Sequence, residues 1–395
     1  ATRRWTFALR PRQNGFISDC REQYLPNRFN YNAYNVFGFE VGRGSGNPFL
    51  SSFQELNWSF ITAVVLSFVA LLLTFDTVSG ERQSKTLALV LANPIPRATV
   101  LSGKYISAIL TTTLMAVVGV ILSSLIVLAS ATVDPSLATF GEIPGFLLLA
   151  LLFISCVAAF GILSSVLVRD SNVSLLIALA FWLFFVVVIP NTAVFWANKV
   201  FSIEHADTIN RRINIAKEDL RRNAPEGSNS SNPDDPFTPE HRLRAELRMK
   251  YLNSEAAVRN AYFKDMFRQL EHTRLLTAIS PTALFDYAHE AVVGGGYVRF
   301  RKTWDDLHEY QSQFLQFFKM VDAEDPNSPH WYNPYESLST TREPVNFAEV
   351  PVFKERPISF AYRLFSLRNY LAMMIAYTAV VLSLAFVFFL RYDVR

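Results

Sequence analysis

Hydrophobic residues in this chain are concentrated in five long stretches that contain no Asp, Glu, Lys or Arg. The stretches are Asn57–Phe75, Tyr105–Val133, Ile143–Val168, Ser171–Asn198 and Asn369–Leu390. A helix needs about 20 apolar residues to cross a bilayer, and a charge near the bilayer centre costs roughly 2.5–3.5 kcal/mol. The pattern therefore predicts five transmembrane helices. Because Asn172–Ile189 is already long enough, Pro190 is expected at or near the end of the fourth span.

The composition agrees with a membrane protein, since 51% of the 395 residues are hydrophobic and only 18% are charged. A formal net charge of +3 is small for this length, so the charge gives no indication of nucleic-acid binding. Cys20 stands in a polar stretch and Cys156 in an apolar one. These two cysteines cannot supply a disulfide framework or a cysteine-based metal site within the chain.

The short loops indicate the orientation, because Lys and Arg favour the cytoplasmic side. The loop after the first span carries four of them, Arg82, Lys85, Arg97 and Lys104, whereas Asp134–Glu142 has none. The first of these loops is therefore predicted to lie inside and the second outside. Parity then divides the chain into an outside segment 1–56, four spans in 57–198, an outside domain 199–367, and a last span with a cytoplasmic tail in 368–395. Arg363 and Arg368, close to the last span, are contrary evidence.

Two apolar stripes at helical spacing occur in the charged region after the fourth span. The first contains Ile209, Ile213, Ala216 and Leu220. The second contains Leu243, Leu247, Tyr251, Ser254, Val258, Tyr262, Met266 and Leu270, with Ser254 as its one polar member. Between them, Ala224–Thr238 is rich in Pro, Asn, Ser and Asp and cannot continue a helix. We expect an antiparallel helical hairpin with this segment at its tip.

Further helices are predicted at Thr282–Val293, which three glycines follow, and at Thr303–Asp322. The aromatic segment Ile358–Leu367 precedes the last span. It has the composition of a helix that lies on the outer membrane surface, and it is equally consistent with an extension of the last transmembrane helix.

The sequence contains no recognisable catalytic or nucleotide-binding motif. It has no Walker sequence, no zinc-protease histidine pair and no Gly-x-Ser-x-Gly elbow, and its six histidines show no ligand spacing. Ionisable residues, which an intramembrane protease or a proton-driven carrier would need, do not occur in the five stretches. We therefore predict no catalytic, cofactor-binding or metal site, and any energy must come from another protein.

The most distinctive segment is the loop predicted to lie inside, Gly80–Lys104, which we call the first loop. Gln83–Ala92 is expected to form a short helix, Asn93–Pro96 to stop it, and Arg97–Lys104 to lead back into the membrane. A short helix held parallel to the membrane can transmit a push from a cytoplasmic partner into two spans at once.

This loop resembles the first cytoplasmic loop of ABC-2 type transporter permeases. The resemblance is carried by Gly80-Glu81, Thr86-Leu87, the proline break before Arg97, and Gly103-Lys104; the ending Phe389–Asp393 is similar to the subfamily with a large extracytoplasmic insertion. The family often has glycine before the Thr-Leu pair, where this chain has Lys85. Such permeases usually have six spans, so the resemblance implies a first span upstream of Ala1.

The resemblance implies an all-α polytopic helical bundle with a mostly helical extracytoplasmic domain, in the inner (plasma) membrane of a bacterium. It implies a permease, most often an exporter, that pairs with a second permease copy or paralogue and with cytoplasmic ATPase subunits. The outside hairpin is expected to bind an extracytoplasmic partner protein or to cap the exit of the pathway. The residues implied in ATPase coupling are Gly80, Glu81, Arg82, Lys85, Thr86, Leu87, Arg97 and Lys104, with Leu89 and Leu91 as further anchors. The alternative is a non-transporting scaffold or sensor, and a secondary carrier is disfavoured by the uncharged spans.

Overall fold

The computed structural model describes residues 5–9, 15–18, 20, 22, 25–32, 36–40, 56–130, 140–226, 239–324, 326, 330 and 349–391. It is 78% helical. The helices are α1 (Trp58–Leu72), α2 (Ser79–Gln83), α3 (Leu87–Ala92), α4 (Arg97–Ala129), α5 (Ile143–Leu167), α6 (Ser171–Val200), α7 (Ala206–Arg222), α8 (Pro239–Thr277), α9 (Pro281–Val293), α10 (Gly296–Ala323) and α11 (Phe360–Leu390). The strands are β1 (Trp5–Ala8), β2 (Arg28–Tyr31) and β3 (Val36–Glu40). An all-α polytopic membrane protein is thereby confirmed.

Among the described residues, four helices are long and apolar enough to cross a membrane, namely α4, α5, α6 and α11. The first predicted span forms the shorter α1, whose 15 residues extend roughly 22 Å, against a hydrocarbon core of about 30 Å. This helix packs closely on α4 because Gly119 has no side chain there. A Cβ at Gly119 would lie 2.1 Å from the Trp58 ring, whose Nε1 donates to Ser123 Oγ at 3.0 Å.

Pro190, expected at or near the end of the fourth span, does not end the helix, since α6 continues through the proline to Val200. A π-helical segment, Leu183–Val188, ends two residues before the proline. Proline lacks an N–H and clashes with the preceding turn of a regular helix, and a wider turn relieves both problems. The helix therefore reaches about ten residues farther than the sequence pattern indicated.

Helix α5 is the centre of the bundle. Of its most apolar 18-residue window, 61% is buried, against 17–22% in the other three long helices. Phe146, Phe153 and Val157 lie in its core, and α1, α4, α9 and α11 pack around it. The other long helices therefore leave much apolar surface facing outward, as lipid-facing helices do.

Helix α9, which the sequence placed in the soluble domain, lies between α5 and α11. Phe285 stacks on Phe153 with ring centroids 4.8 Å apart, and Tyr377 Oη donates to the carbonyl of Ile279 at 2.6 Å. Tyr377 is 13 residues before the end of α11 at Leu390, which corresponds to roughly 20 Å of helix. The turn between α8 and α9 therefore lies within the thickness of the bundle.

This placement buries ionisable side chains where α8 and α9 meet the bundle. The buried Arg274 pairs with Glu290 at 2.8 Å, and its guanidinium lies 4.0 Å from the centre of the Tyr287 ring. The buried His289 lies 2.7 Å from Ser18 Oγ. These contacts fasten α9 to the end of α8 and to the segment before α1.

The hairpin of α7 and α8 packs antiparallel, as predicted, while its tip at 227–238 lies outside the described residues. Lys217 of α7 and Arg259 of α8 both bind the Glu255 carboxylate, at 2.6 Å and 2.9 Å. Burial alone would raise the pKa of Glu255, but these hydrogen bonds and charges outweigh it and lower the pKa. The prediction of the packed face of α8 was partly wrong. Leu270, a member of the second stripe, is exposed, whereas Phe263 and Phe267, which are not members, are buried.

The strands form a three-stranded antiparallel sheet, ordered β1-β2-β3, in a segment for which the sequence predicted no regular structure. The sheet packs on α8 and α10 through an aromatic cluster that includes Phe29, Tyr31, Phe263, Phe267, Phe300, Trp304, Tyr310 and Phe314. Arg299 pairs with Glu22 at 3.0 Å and with Glu355 at 2.6 Å. The segment before α1 and the region after α6 therefore lie at the same end of the bundle.

Two further boundaries differ from the prediction. Helix α10 begins at Gly296, seven residues before Thr303, and α11 begins at Phe360. Ile358–Leu367 thus belongs largely to an extension of the last long helix, which Ser359 caps by accepting from the backbone N–H of Tyr362 at 3.3 Å. Of the two alternatives for this segment, the extension is confirmed.

Candidate functional site

The first loop contains two short helices rather than one. The predicted helix Gln83–Ala92 is wrong, because α2 ends at Gln83 and α3 begins only at Leu87. Lys85 lies between them with φ of 61°, in the left-handed region that glycine adopts without a Cβ penalty. This is the position at which ABC-2 type permeases often have glycine, so the chain keeps the turn with a lysine in a strained conformation.

The proline break is where the sequence placed it. Helix α3 ends at Ala92, Asn93 is extended with φ −73° and ψ 149°, and α4 begins at Arg97 directly after Pro96. Proline cannot donate into the preceding turn, so two prolines within three residues separate α3 from α4. The segment Arg97–Lys104 is the first two turns of α4, and α4 then continues into the bundle as predicted.

Glu81 joins α2 to α4. Its Oε1 lies 2.6 Å from Lys104 Nζ, and the same ammonium donates to the backbone carbonyl of Thr77. Gly80, one residue earlier, lies against Asp76, whose carboxylate would be 3.2 Å from a Cβ at that position. Glu81 and Lys104, which the resemblance implies in ATPase coupling, are thus paired with each other within the chain.

Arg82 joins α2 to the end of α5. Its Nη1 donates to the carbonyls of Val166 and Val168 at 2.9 Å and 3.0 Å. The last carbonyls of a helix have no partner within the helix and carry its negative dipole end, so a cation is favoured there. Ser165 Oγ of α5 also accepts from the backbone N–H groups of Val78 and Ser79, at 2.8 Å and 3.0 Å.

Two further contacts reach α6 and α11. Gln83 Oε1 accepts a hydrogen bond from the backbone N–H of Ser171, at the start of α6, at 3.4 Å, and Arg97 Nη1 donates to the carbonyl of Leu390 at 3.3 Å. The loop therefore contacts the same end of α4, α5, α6 and α11. The sequence predicted a link to two spans, whereas the structure gives it contacts with four.

The leucines of α3 have different environments. Leu87 is buried in a cluster with Leu101, Tyr105 and Phe389, whereas Leu89 is 71% exposed. Around Leu89, the surface from Gln83 to Pro96 is mostly exposed and includes Lys85, Thr86 and Ile95; Thr86 Oγ1 lies 2.9 Å from Ser84 Oγ. The loop thus has one face fixed on the bundle and one free face that combines an aliphatic centre with polar residues.

This arrangement is suited to mechanical coupling rather than to chemistry. Within the part of the chain that the structure describes, no group of three or more His, Cys, Asp or Glu side chains could hold a metal ion. Sequence reasoning found the loop from its Gly-Glu pair and its prolines. It missed the hydrogen bonds that Arg82 donates and Ser165 accepts, since neither residue type nor spacing distinguishes these two from ordinary loop and helix residues.

A family model described as ABC-2 family transporter protein matches residues 10–394. No curated protein sequence matches the chain. Because the match covers nearly the whole chain, the protein belongs to the ABC-2 transporter family. It is a multi-pass membrane protein and a permease of an ABC transporter.

Proposed function

We propose that this ABC-2 permease couples ATP hydrolysis in a separate cytoplasmic ATPase subunit to the outward movement of a substrate. The first loop is the coupling element in this proposal. The ATPase binds the free face around Leu89, with Lys85 and Thr86 at its edge. Closure of two ATPase subunits on ATP then displaces the loop and, through it, the bundle.

The observation that supports this function best is the contact of one loop with four long helices. The loop makes these polar contacts at one end of the bundle: Glu81 with Lys104 of α4, Arg82 with the end of α5, Gln83 with the start of α6, and Arg97 with Leu390 of α11. Because these contacts join the loop to four long helices, a displacement of α2 and α3 is expected to be passed to the ends of α4, α5, α6 and α11.

The remaining parts of the proposal follow the family resemblance. The permease pairs with a second copy or a paralogue in the inner (plasma) membrane of a bacterium, with the first loop inside and the sheet, the hairpin and α10 outside. The hairpin then binds an extracytoplasmic partner or caps the exit of the pathway. Its position beside the turn between α8 and α9, which lies within the bundle, supports a connection between such a partner and the spans.

The test is co-purification from the native membrane, followed by reconstitution. An ABC ATPase recovered in stoichiometric amount, with ATP-dependent movement of a substrate out of the compartment that contains the ATPase, is the expected result. A permease that is recovered with extracytoplasmic proteins and with no ATPase would instead favour the scaffold or sensor. Movement in the opposite direction would overturn the exporter assignment alone.

A further inference from the structure

A cavity of about 250 Å³ lies where α6 leaves the bundle and the hairpin begins. The segment between α6 and α7 contributes Phe201 and Glu204, α7 contributes Arg212, and α8 contributes Asp265, Arg268 and His272. Gln269 of α8 also lines the cavity and donates to the carbonyl of Phe201 at 2.6 Å. The His272 ring stacks on the Phe201 ring with centroids 4.7 Å apart. The cavity is therefore built on a fixed junction of three helices.

Its charged groups come in two pairs of opposite sign. Arg212 Nη1 lies 3.0 Å from Glu204 Oε2, and Arg268 Nη1 lies 3.6 Å from Asp265 Oδ1. Both pairs are more than two-fifths exposed, and exposed pairs of this kind contribute little to stability. They can therefore exchange partners with a ligand that carries a positive and a negative charge of its own.

The cavity lies at the level of lipid headgroups. Helix α6 has 30 residues, roughly 45 Å, and begins at the end of the bundle that holds the first loop. A bilayer with its headgroups is about 40–45 Å thick, so the end of α6 reaches the opposite headgroup layer. Phe195 and Trp196 are exposed just before that end, as aromatic residues at a membrane interface are, and Lys199 lies 5.4 Å from the Phe195 ring centre.

Below the cavity the same helix faces become apolar. Arg268, His272 and Leu275 follow one another at spacings of four and three on one face of α8, and Ile279 lies four residues farther, in the turn after the helix. Leu275 is 68% exposed and Ile279 is 54% exposed. On α6, which contacts α8 through the carbonyl of Ala197, Val194 is 70% exposed. These three aliphatic residues form what we call the lipid groove.

We propose that the cavity and the lipid groove bind one phospholipid with a phosphoethanolamine headgroup. Arg212 and Arg268 hold the phosphate, Glu204 and Asp265 accept hydrogen bonds from the ammonium group, and an acyl chain lies along the groove. A primary ammonium has three N–H donors for these carboxylates, whereas a choline group has none. The inference rests on the membrane location of the chain and is independent of the coupling proposed for the first loop.

The experiment measures lipid binding to the purified full-length permease by native mass spectrometry after removal of native lipid with detergent. The probes are phosphatidylethanolamine and phosphatidylcholine with identical acyl chains. The wild type should prefer the former, and the double variant Arg212→Gln, Arg268→Gln should bind it roughly 10-fold more weakly, because charge-assisted hydrogen bonds to the phosphate are lost. The control is Arg222→Gln, Arg242→Gln, which removes the same charge from exposed pairs elsewhere on the hairpin.

A second variant, Leu275→Ser with Ile279→Ser, tests the groove. It should weaken binding of the lipid and leave binding of soluble glycerophosphoethanolamine unchanged. The headgroup site would be refuted if the Arg212/Arg268 variant bound phosphatidylethanolamine as tightly as the Arg222/Arg242 control does. It would also be refuted if the wild type bound both lipids equally. If the soluble headgroup competed as well as the whole lipid, the groove would be refuted. Should the arginine variant not fold, Glu204→Gln with Asp265→Asn provides the same test, with loss of the preference for ethanolamine as the expected result.

Discussion

The free face of the first loop contains one residue, Leu89, at which an effect on ATPase binding can be distinguished from an effect on folding of the permease. Leu89 is 71% exposed, whereas Leu87, two residues earlier on the same helix, is 3% exposed. Truncating Leu89 to alanine removes little that the permease itself buries. If an ATPase covers this face, the same truncation removes apolar surface from the interface between the two proteins.

The size of the effect follows from the exposed fraction. Leu→Ala deletes three carbon atoms, and burying each is worth about 0.8 kcal/mol. Because roughly seven-tenths of the side chain is available to a partner, Leu89→Ala should weaken association by about 1.5–2 kcal/mol, which is roughly 10- to 30-fold in the dissociation constant. In contrast, Leu87→Ala should destabilise the permease itself by about 2–5 kcal/mol, as truncation of a buried leucine does.

The assay titrates the ATPase subunit onto the permease in nanodiscs and records both binding and stimulation of ATP hydrolysis. The thermal unfolding of each variant is measured in the same preparation. Ile215→Ala is the matched control, since Ile215 is a 55% exposed aliphatic residue on α7, at the other end of the bundle. Unchanged ATPase affinity for Leu89→Ala, with normal folding, would refute docking on this face.

Three other outcomes are expected. In a cysteine-free background of intact cells, a cysteine at Arg222 should react with an impermeant thiol reagent and one at Ser84 should not; the reverse pattern would invert the topology. Arg274→Met leaves the carboxylate of Glu290 without its cation and should lower stability by roughly 3–5 kcal/mol, with partial recovery on adding Glu290→Gln, as measured by thermal unfolding. Because the folded-state pKa of Glu255 is lowered, its charge stabilises the hairpin above its unfolded pKa of about 4.3, and this contribution is lost as the pH falls through the folded pKa. Protease resistance of the hairpin should therefore decline more steeply from about pH 5 to pH 3 in the wild type than in Glu255→Gln.

The long helices were predictable because a bilayer imposes a simple rule on sequence. Charge-free stretches of about 20 residues mark α4, α5, α6 and α11, and prolines mark the end of α3. The helical hairpin followed from the spacing of Ile209 and Ile213. These features depend on local pattern, so a single sequence is sufficient to find them.

What the sequence could not show depends on contacts between distant segments. Helix α9 carries Asp286, His289 and Glu290, so its sequence alone does not indicate a buried position. That position depends on distant partners such as Arg274, Ser18 and Phe153. The sheet was missed for a related reason. Its aromatic residues gain their packing from α8 and α10, far along the chain, and strand propensity alone is weak.

The internal contacts also change how variants of the first loop should be interpreted. Glu81 and Arg82 are used within the permease, by Lys104 and by the end of α5, so a charge reversal at either residue disturbs the bundle contacts and docking together. Lys85, Thr86 and Leu89 remain exposed. Loss of transport in a Glu81 variant is therefore compatible with damage to transmission inside the permease, whereas loss in a Leu89 variant reports on the partner. A permease that tolerated changes at the exposed residues and failed on changes at Glu81 or Arg82 would receive its push at a different surface, while still transmitting it through this loop.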